Sequence, residues 1–141
     1  MSEHATTQQI EITRVYRASR EQVWKAWTEP DRIARWWGKR GWRTPPSSVT
    51  LDVRPGGAFR LNSIADADGS EMPLDAVYVE VVEPERLVFA RGDERATVTF
   101  ADLGDGRTEM TFRTTMTATE ALRDRALAGM ASAFDRLAEQ L

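Results

Sequence analysis

The sequence predicts an α+β fold: a curved seven-stranded antiparallel sheet gripping a long C-terminal helix, with two short helices after the first strand. Three observations carry this expectation. Hydrophobic period switches from two to 3.6 and back within the first 60 residues. Six strand-like runs then follow with short, turn-rich connections, which favours an antiparallel meander over βαβ units. The last 23 residues read as one helix with a single apolar stripe.

Residues 1–8 are polar and aperiodic, and are expected to form a flexible tail ahead of a single domain over 9–141. Ile10, Ile12 and Tyr16 alternate through a first strand over about residues 9–17, and Arg14 shares their parity. Ser19 with Gln22 makes a capping box for the first helix, whose apolar face is Val23, Trp24 and Trp27. Pro30 and Asp31 start a second helix. Ile33, Trp36 and Trp37 are spaced i, i+3, i+4, and Gly38 ends the helix. Trp36 and Trp37 are adjacent, so one faces the core and the other the helix flank or a cavity mouth.

Residues 38–48 are a Gly/Pro/Ser-rich loop with Trp42 in its middle. Val49, Leu51 and Val53 alternate, and Arg54–Gly57 (RPGG) turns the chain. Strands follow from Phe59, over 74–82, 87–91, 96–101 and 108–116, separated by Asp66–Glu71, Pro84, Gly92–Glu94 and Asp102–Arg107. Alternation makes Phe59, Leu61, Tyr78, Phe100, Met110 and Phe112 the inward set. Thr117 and Glu120 read as a second capping box. Leu122, Ala126, Met130, Phe134, Leu137 and Leu141 form the helical stripe. The sheet must bury its apolar face, and only this helix is long enough to cover it. Gly129 in mid-helix costs about 1 kcal/mol relative to Ala. Either the helix approaches the sheet closely there, or it leaves room for a guest.

Composition excludes several chemistries. The 141 residues hold no Cys and one His, His4. Disulfides, thiolate nucleophiles, iron–sulfur clusters and Cys-based zinc sites are ruled out. A Ser–His pair or a His-rich metal site has no material within the domain. Asp66, Asp68 and Glu71 lack the downstream Glu of a calcium loop, and RPGG lacks the context of a phosphate loop. No metal and no cofactor is expected. Net charge is −3, with residues 1–60 at +5 and the remainder at −8. Basic residues Arg32, Arg35, Lys39, Arg40 and Arg43 surround the last three of five Trp. In an acidic domain without a basic stripe, they read as a solvated rim rather than a nucleic-acid surface. The longest apolar runs are four residues, too short for membrane insertion, and a cytoplasmic location is expected.

The runs Val15–Gly38, Gly41–Trp42, Leu51–Arg60 (LDVRPGGAFR), Val81–Phe89 (VVEPERLVF) and Asp135–Leu141 (DRLAEQL) occur in this order. The chain thereby resembles the homologues of the activator of the heat-shock protein 90 ATPase, in the START-like (SRPBCC) superfamily, over about residues 9–141. The resemblance implies a helix-grip fold, with the first strand paired to the last and a cavity between sheet and terminal helix. Superfamily members include lipid carriers, hormone receptors, aromatic cyclases and co-chaperones, so fold alone does not decide the role. The family often carries Trp after the glycine at position 129, where this chain has Met130.

The leading expectation is a binding protein for a hydrophobic small molecule. Candidate ligand contacts are Trp37 and Trp42, Phe59, Leu61, Tyr78, Phe100 and Phe112 on the sheet, and Leu122, Ala126, Met130 and Phe134 on the helix. Trp42 reads either as a mobile lid or as a plug on the core edge. Arg14 and Glu80 are the candidate polar anchors. An inward Arg14 needs a partner, with Glu80 and Glu109 available, and Glu80 shares strand parity with Tyr78. The alternative is a stress-related interaction module whose partner is a chaperone. A cyclase or hydrolase acting through Tyr78, Glu80 or Arg14 ranks below both, because acid–base groups near neutral pH are scarce. A monomer or weak dimer is expected.

Overall fold

The computed structural model describes residues 4–141. Strand β1 spans Thr6–Tyr16, followed by helices α1 (Arg20–Thr28) and α2 (Pro30–Ile33). Strands β2 (Trp42–Arg43), β3 (Thr50–Leu51), β4 (Ala58–Ala65), β5 (Glu71–Val82), β6 (Arg86–Arg91), β7 (Glu94–Asp102) and β8 (Thr108–Ala118) come next. Helix α3 (Glu120–Glu139) ends the chain. The sheet order is β1-β8-β7-β6-β5-β4-β2, with β3 also pairing to β4, and every pairing is antiparallel. This is the expected α+β helix-grip architecture, with an eighth strand added.

The added strand is Trp42–Arg43, which sequence composition places in a loop. It pairs with Ala65 and Ile64, two residues only, too few for an alternation signal. Strand β1 also begins earlier than expected, at Thr6 rather than at about residue 9. Residues 1–3 lie outside the described residues, while Thr6, Thr7 and Gln8 pair with Ala118, Thr117 and Met116. Backbone pairing to β8 orders these polar residues without any apolar signal. The same extension of β8 moves the α3 cap. Thr119, not Thr117, is the N-cap, and its side chain accepts from the Leu122 amide at 3.2 Å. The Ser19–Gln22 box at α1 forms as its sequence predicts.

Helix α2 is only four residues, with Pro30 in its first turn. The chain continues as turns, with the Trp37 amide donating to Ile33 O at 2.9 Å. Gly38 then takes φ +95°, a left-handed value that glycine adopts without a Cβ clash. At the β3–β4 turn, a Cβ on Gly57 would lie 1.9 Å from Asp52 O, so no side chain fits there.

Trp27 is the centre of the core and fully buried. Its ring sits 4.8 Å from Trp36 and 6.2 Å from Phe134, and its Nε1 donates to Met110 Sδ at 3.3 Å. Trp36 is likewise buried and donates to Ala26 O at 3.0 Å. Trp24 packs edge-on against Phe100 at 5.8 Å. Each such aromatic pair adds about 0.5–1.5 kcal/mol beyond its buried area. Helix α3 is pinned to the opposite side by Tyr16, whose hydroxyl donates to Phe134 O at 3.1 Å. At about 1.5 Å per residue, its 20 residues span about 30 Å, enough to cross the sheet.

Candidate functional site

A cavity of about 620 Å3 lies between α3, the sheet and the segment after α2, and it opens to solvent. That volume falls within the range of about 300–1,000 Å3 usual for small-molecule pockets. Four of the five Trp reach its wall: Trp27, Trp36, Trp37 and Trp42. Phe89 of β6, Phe112 of β8 and Phe134 of α3 complete an aromatic lining. Helix α3 contributes Ala126, Gly129, Met130 and Ala133, three of which are small. A Cβ added at Gly129 would meet only Lys39 Cδ, at 3.9 Å. The helix therefore does not press against the sheet backbone there; Gly129 leaves room. Gly129→Ala is expected to raise stability by about 0.5–1 kcal/mol, because helix propensity improves and nothing blocks the methyl group. The urea midpoint measures this, and a fall would show that the position is tightly packed.

The sequence-predicted site residues divide into three groups. Trp37, Trp42, Phe112, Ala126, Met130 and Phe134 come together on the cavity wall. Phe59, Leu61, Tyr78 and Phe100 face inward but stand in the packed core away from that wall. Phe59 stacks on Phe89 at 4.5 Å and meets Tyr78 edge-on at 5.4 Å, so neighbouring rings fill the space a guest would need. Burial pushes the Tyr78 phenol well above its usual range, and the Asp52 charge adds to that shift. Its hydroxyl is buried without a hydrogen-bond partner among the described residues. Leu122 is 49% exposed and off the wall, in the first turn of α3 beyond the sheet.

The two polar anchors are also displaced. Arg14 reaches Asp135 on α3 and donates to Ala131 O at 3.4 Å, rather than meeting Glu80 or Glu109. Helix α3 crosses β1 and brings its own carboxylate within reach. Both partners are partly exposed, so the pair contributes at most about 1 kcal/mol. Glu80 pairs with Arg86 on the neighbouring strand. A β-bulge between Tyr78 and Glu80 inserts one residue and reverses the parity, so Glu80 does not follow Tyr78 inward.

Trp42 is held rather than loose. Its strand pairs to β4, and Lys39 Nζ lies 5.4 Å from its ring centroid. The segment carrying it is tied to α3 by Arg136, which donates to Gly38 O at 2.8 Å, Trp42 O at 3.2 Å and Arg35 O at 3.1 Å. The Arg40 amide donates to Ser132 Oγ at 3.0 Å, and Arg40 pairs with Glu139. These ties escape sequence reasoning because Arg136 and Ser132 lie off the apolar stripe. Thr44 and Ser63, both buried, share a 2.9 Å hydrogen bond behind this segment.

The cavity mouth is ringed by Lys39, Arg91, Glu94, Arg95 and Arg125. Among the described residues Glu94 is the one carboxylate on the lining, and Arg91 holds it at 3.2 Å. A shallower groove of about 410 Å3 runs outside, between Lys39–Arg40 and the α3 face of Arg125, Gly129 and Ser132. This arrangement suits binding of an apolar body and offers little for proton transfer.

A sheet gripping a terminal helix, with an aromatic cavity between them, defines a helix-grip domain of the ligand-binding or co-chaperone type. The chain belongs to the Activator of Hsp90 ATPase homolog 1-like protein family, whose model matches residues 17–141. A solved structure from Chromobacterium violaceum is 26% identical, covers 95% of this chain and 97% of its own, and has a TM-score of 0.84. An AHSA1 protein from Silicibacter pomeroyi shares the fold at 15% identity and a TM-score of 0.80, over 94% of this chain and 96% of its own. An AHSA1-like protein from Aeromonas hydrophila does so at 24% identity and 0.73, over 93% and 91%. No curated protein matches the chain. Among the described residues, no helix is long and apolar enough to cross a membrane.

Proposed function

We propose that this protein binds a hydrophobic small molecule in the cavity between the sheet and α3. The observation that carries the reading is the cavity itself: about 620 Å3, walled by aromatic rings on one side and by Ala126, Gly129 and Ala133 on the other. Small helix residues there give up packing and contribute space. A ligand of about 20 heavy atoms at about −0.3 kcal/mol per atom would bind with a Kd of tens of micromolar. The test is a titration with fatty acids, flavonoids and hydrophobic dyes, followed by tryptophan fluorescence, since four Trp rings touch the cavity. A saturable spectral change is expected. No saturable response from any of these classes would overturn the reading.

Family membership favours a second reading, contact with a chaperone ATPase. Stimulation of that ATPase by the purified protein, without added ligand, would support it.

A further inference from the structure

We propose that the ligand is an amphiphile with an anionic head, its apolar body in the cavity and its head held at the mouth by Lys39, Arg95 and Arg125. This inference rests on the cavity reading above and adds the chemistry of the head group.

Charge at the cavity mouth is unbalanced. Among the described residues twelve arginines have carboxylate partners, as in the pairs Arg43–Asp66, Arg60–Asp75 and Arg113–Glu11, while Arg17, Arg35 and Arg136, off the cavity lining, have none. At the mouth, Glu94 is taken by Arg91. Lys39, Arg95 and Arg125 line the same opening, and none has a carboxylate within 4.0 Å among the described residues. The whole chain carries net charge −3, so a local surplus of cations is contrary to the general balance.

Placement supports the same assignment. Three cations bordering an apolar cavity would gain hydrogen bonds at most from a neutral ligand, whose polar end brings no countercharge. An anionic head gains attraction from all three, and a low-dielectric wall on one side strengthens it. Lys39 Nζ stands 5.4 Å from the Trp42 ring centroid, a cation–π distance, beside the same opening. Arg95 is steadied through its backbone, because Thr114 Oγ1 donates to Arg95 O at 2.8 Å. Lys39 and Arg125 also border the outer groove, so a head larger than a carboxylate has room beyond the mouth. A carboxylate and a phosphate monoester share the chemistry required.

The test compares dodecanoate, dodecyl phosphate and dodecanol on the full chain by tryptophan fluorescence. Each solvent-exposed cation is expected to contribute about two- to threefold, the scale of exposed ion pairs. Dodecanoate or dodecyl phosphate should then bind about tenfold tighter than dodecanol. The gap should narrow as salt rises from about 0.05 to 0.5 M. The triple variant Lys39→Gln/Arg95→Gln/Arg125→Gln should lose that advantage and keep its affinity for dodecanol, which also reports that it is folded. Equal binding of dodecanol and both anions to the wild type would overturn the head-group assignment and leave the cavity reading standing. Equal loss of all three ligands in a triple variant whose circular dichroism and melting temperature match the wild type would overturn it too. Failure of all three to bind the wild type would overturn both.

Discussion

Replacing Arg136 by Met is expected to lower the melting temperature by about 5–10 °C and to loosen one segment of the protein selectively. The guanidinium leaves the last turn of α3 and donates to the carbonyls of Gly38 and Trp42 at 2.8 and 3.2 Å. It also donates to Arg35 O at 3.1 Å and, weakly, to Trp37 O at 3.5 Å. Three of the acceptors belong to the stretch between α2 and β2, which has little regular pairing of its own, and the fourth, Trp42, opens β2. Met keeps most of the apolar stem and removes every donor, so lost hydrogen bonds dominate the effect. Hydrogen bonds to a charged group contribute about 1.5–3 kcal/mol when buried. Partial exposure reduces this, and about 2–3 kcal/mol for the cluster is the expected total. Lys at the same position supplies charge without the planar fork, and should restore less than half. Amide exchange should accelerate over residues 38–44 while the β1–β8 ladder keeps its protection. An unchanged melting temperature with unchanged exchange would show that the strand pairing of Trp42 alone holds this segment.

That clamp shows where the sequence stops being readable. Periodicity finds the strands, the helices and the inward faces, because burial of one face repeats at a fixed spacing. Trp24 and Trp27 are legible as core for this reason, while Trp36 and Trp37 are legible only as one inward and one flanking ring. Phe59 and Phe100 are legible as inward, but not as distant from the cavity. Which inward ring borders empty space depends on how α3 lies across the sheet, and no local pattern records that. Glu80 fails differently. A bulge of one residue inverts strand parity, and the run Val79–Val82 carries no Gly or Pro to mark it. Arg14 meets Asp135 across 121 positions of sequence, a pairing set by the helix crossing. The cationic mouth is gathered from the α2–β2 segment, the β6–β7 turn and α3. Each of its members looks like ordinary surface charge until those three are brought together.

Met130→Trp is the sharpest test of whether ligand occupies this cavity, with an expected loss of affinity of at least thirtyfold, about 2 kcal/mol. Met130 is half-buried on α3, one residue beyond Gly129, and its side chain lines the space opposite the aromatic wall. An indole there is much larger and stiffer than a thioether, which bends to fit irregular gaps. Because Met130 borders a cavity of about 620 Å3 rather than close-packed neighbours, the ring avoids the usual overpacking penalty of about 1–3 kcal/mol. It gains contact with other rings, and stability should hold or rise by about 1 kcal/mol. Met130→Ala gives the converse. It widens the cavity and should cost about 1–2 kcal/mol of stability, less than a fully buried Met. Its dodecanoate affinity should fall less than threefold. A large loss of affinity with stability kept in the one variant, and a loss of stability with affinity nearly kept in the other, separate filling the cavity from damaging the fold. Wild-type affinity in a folded Met130→Trp protein would place the ligand outside this cavity.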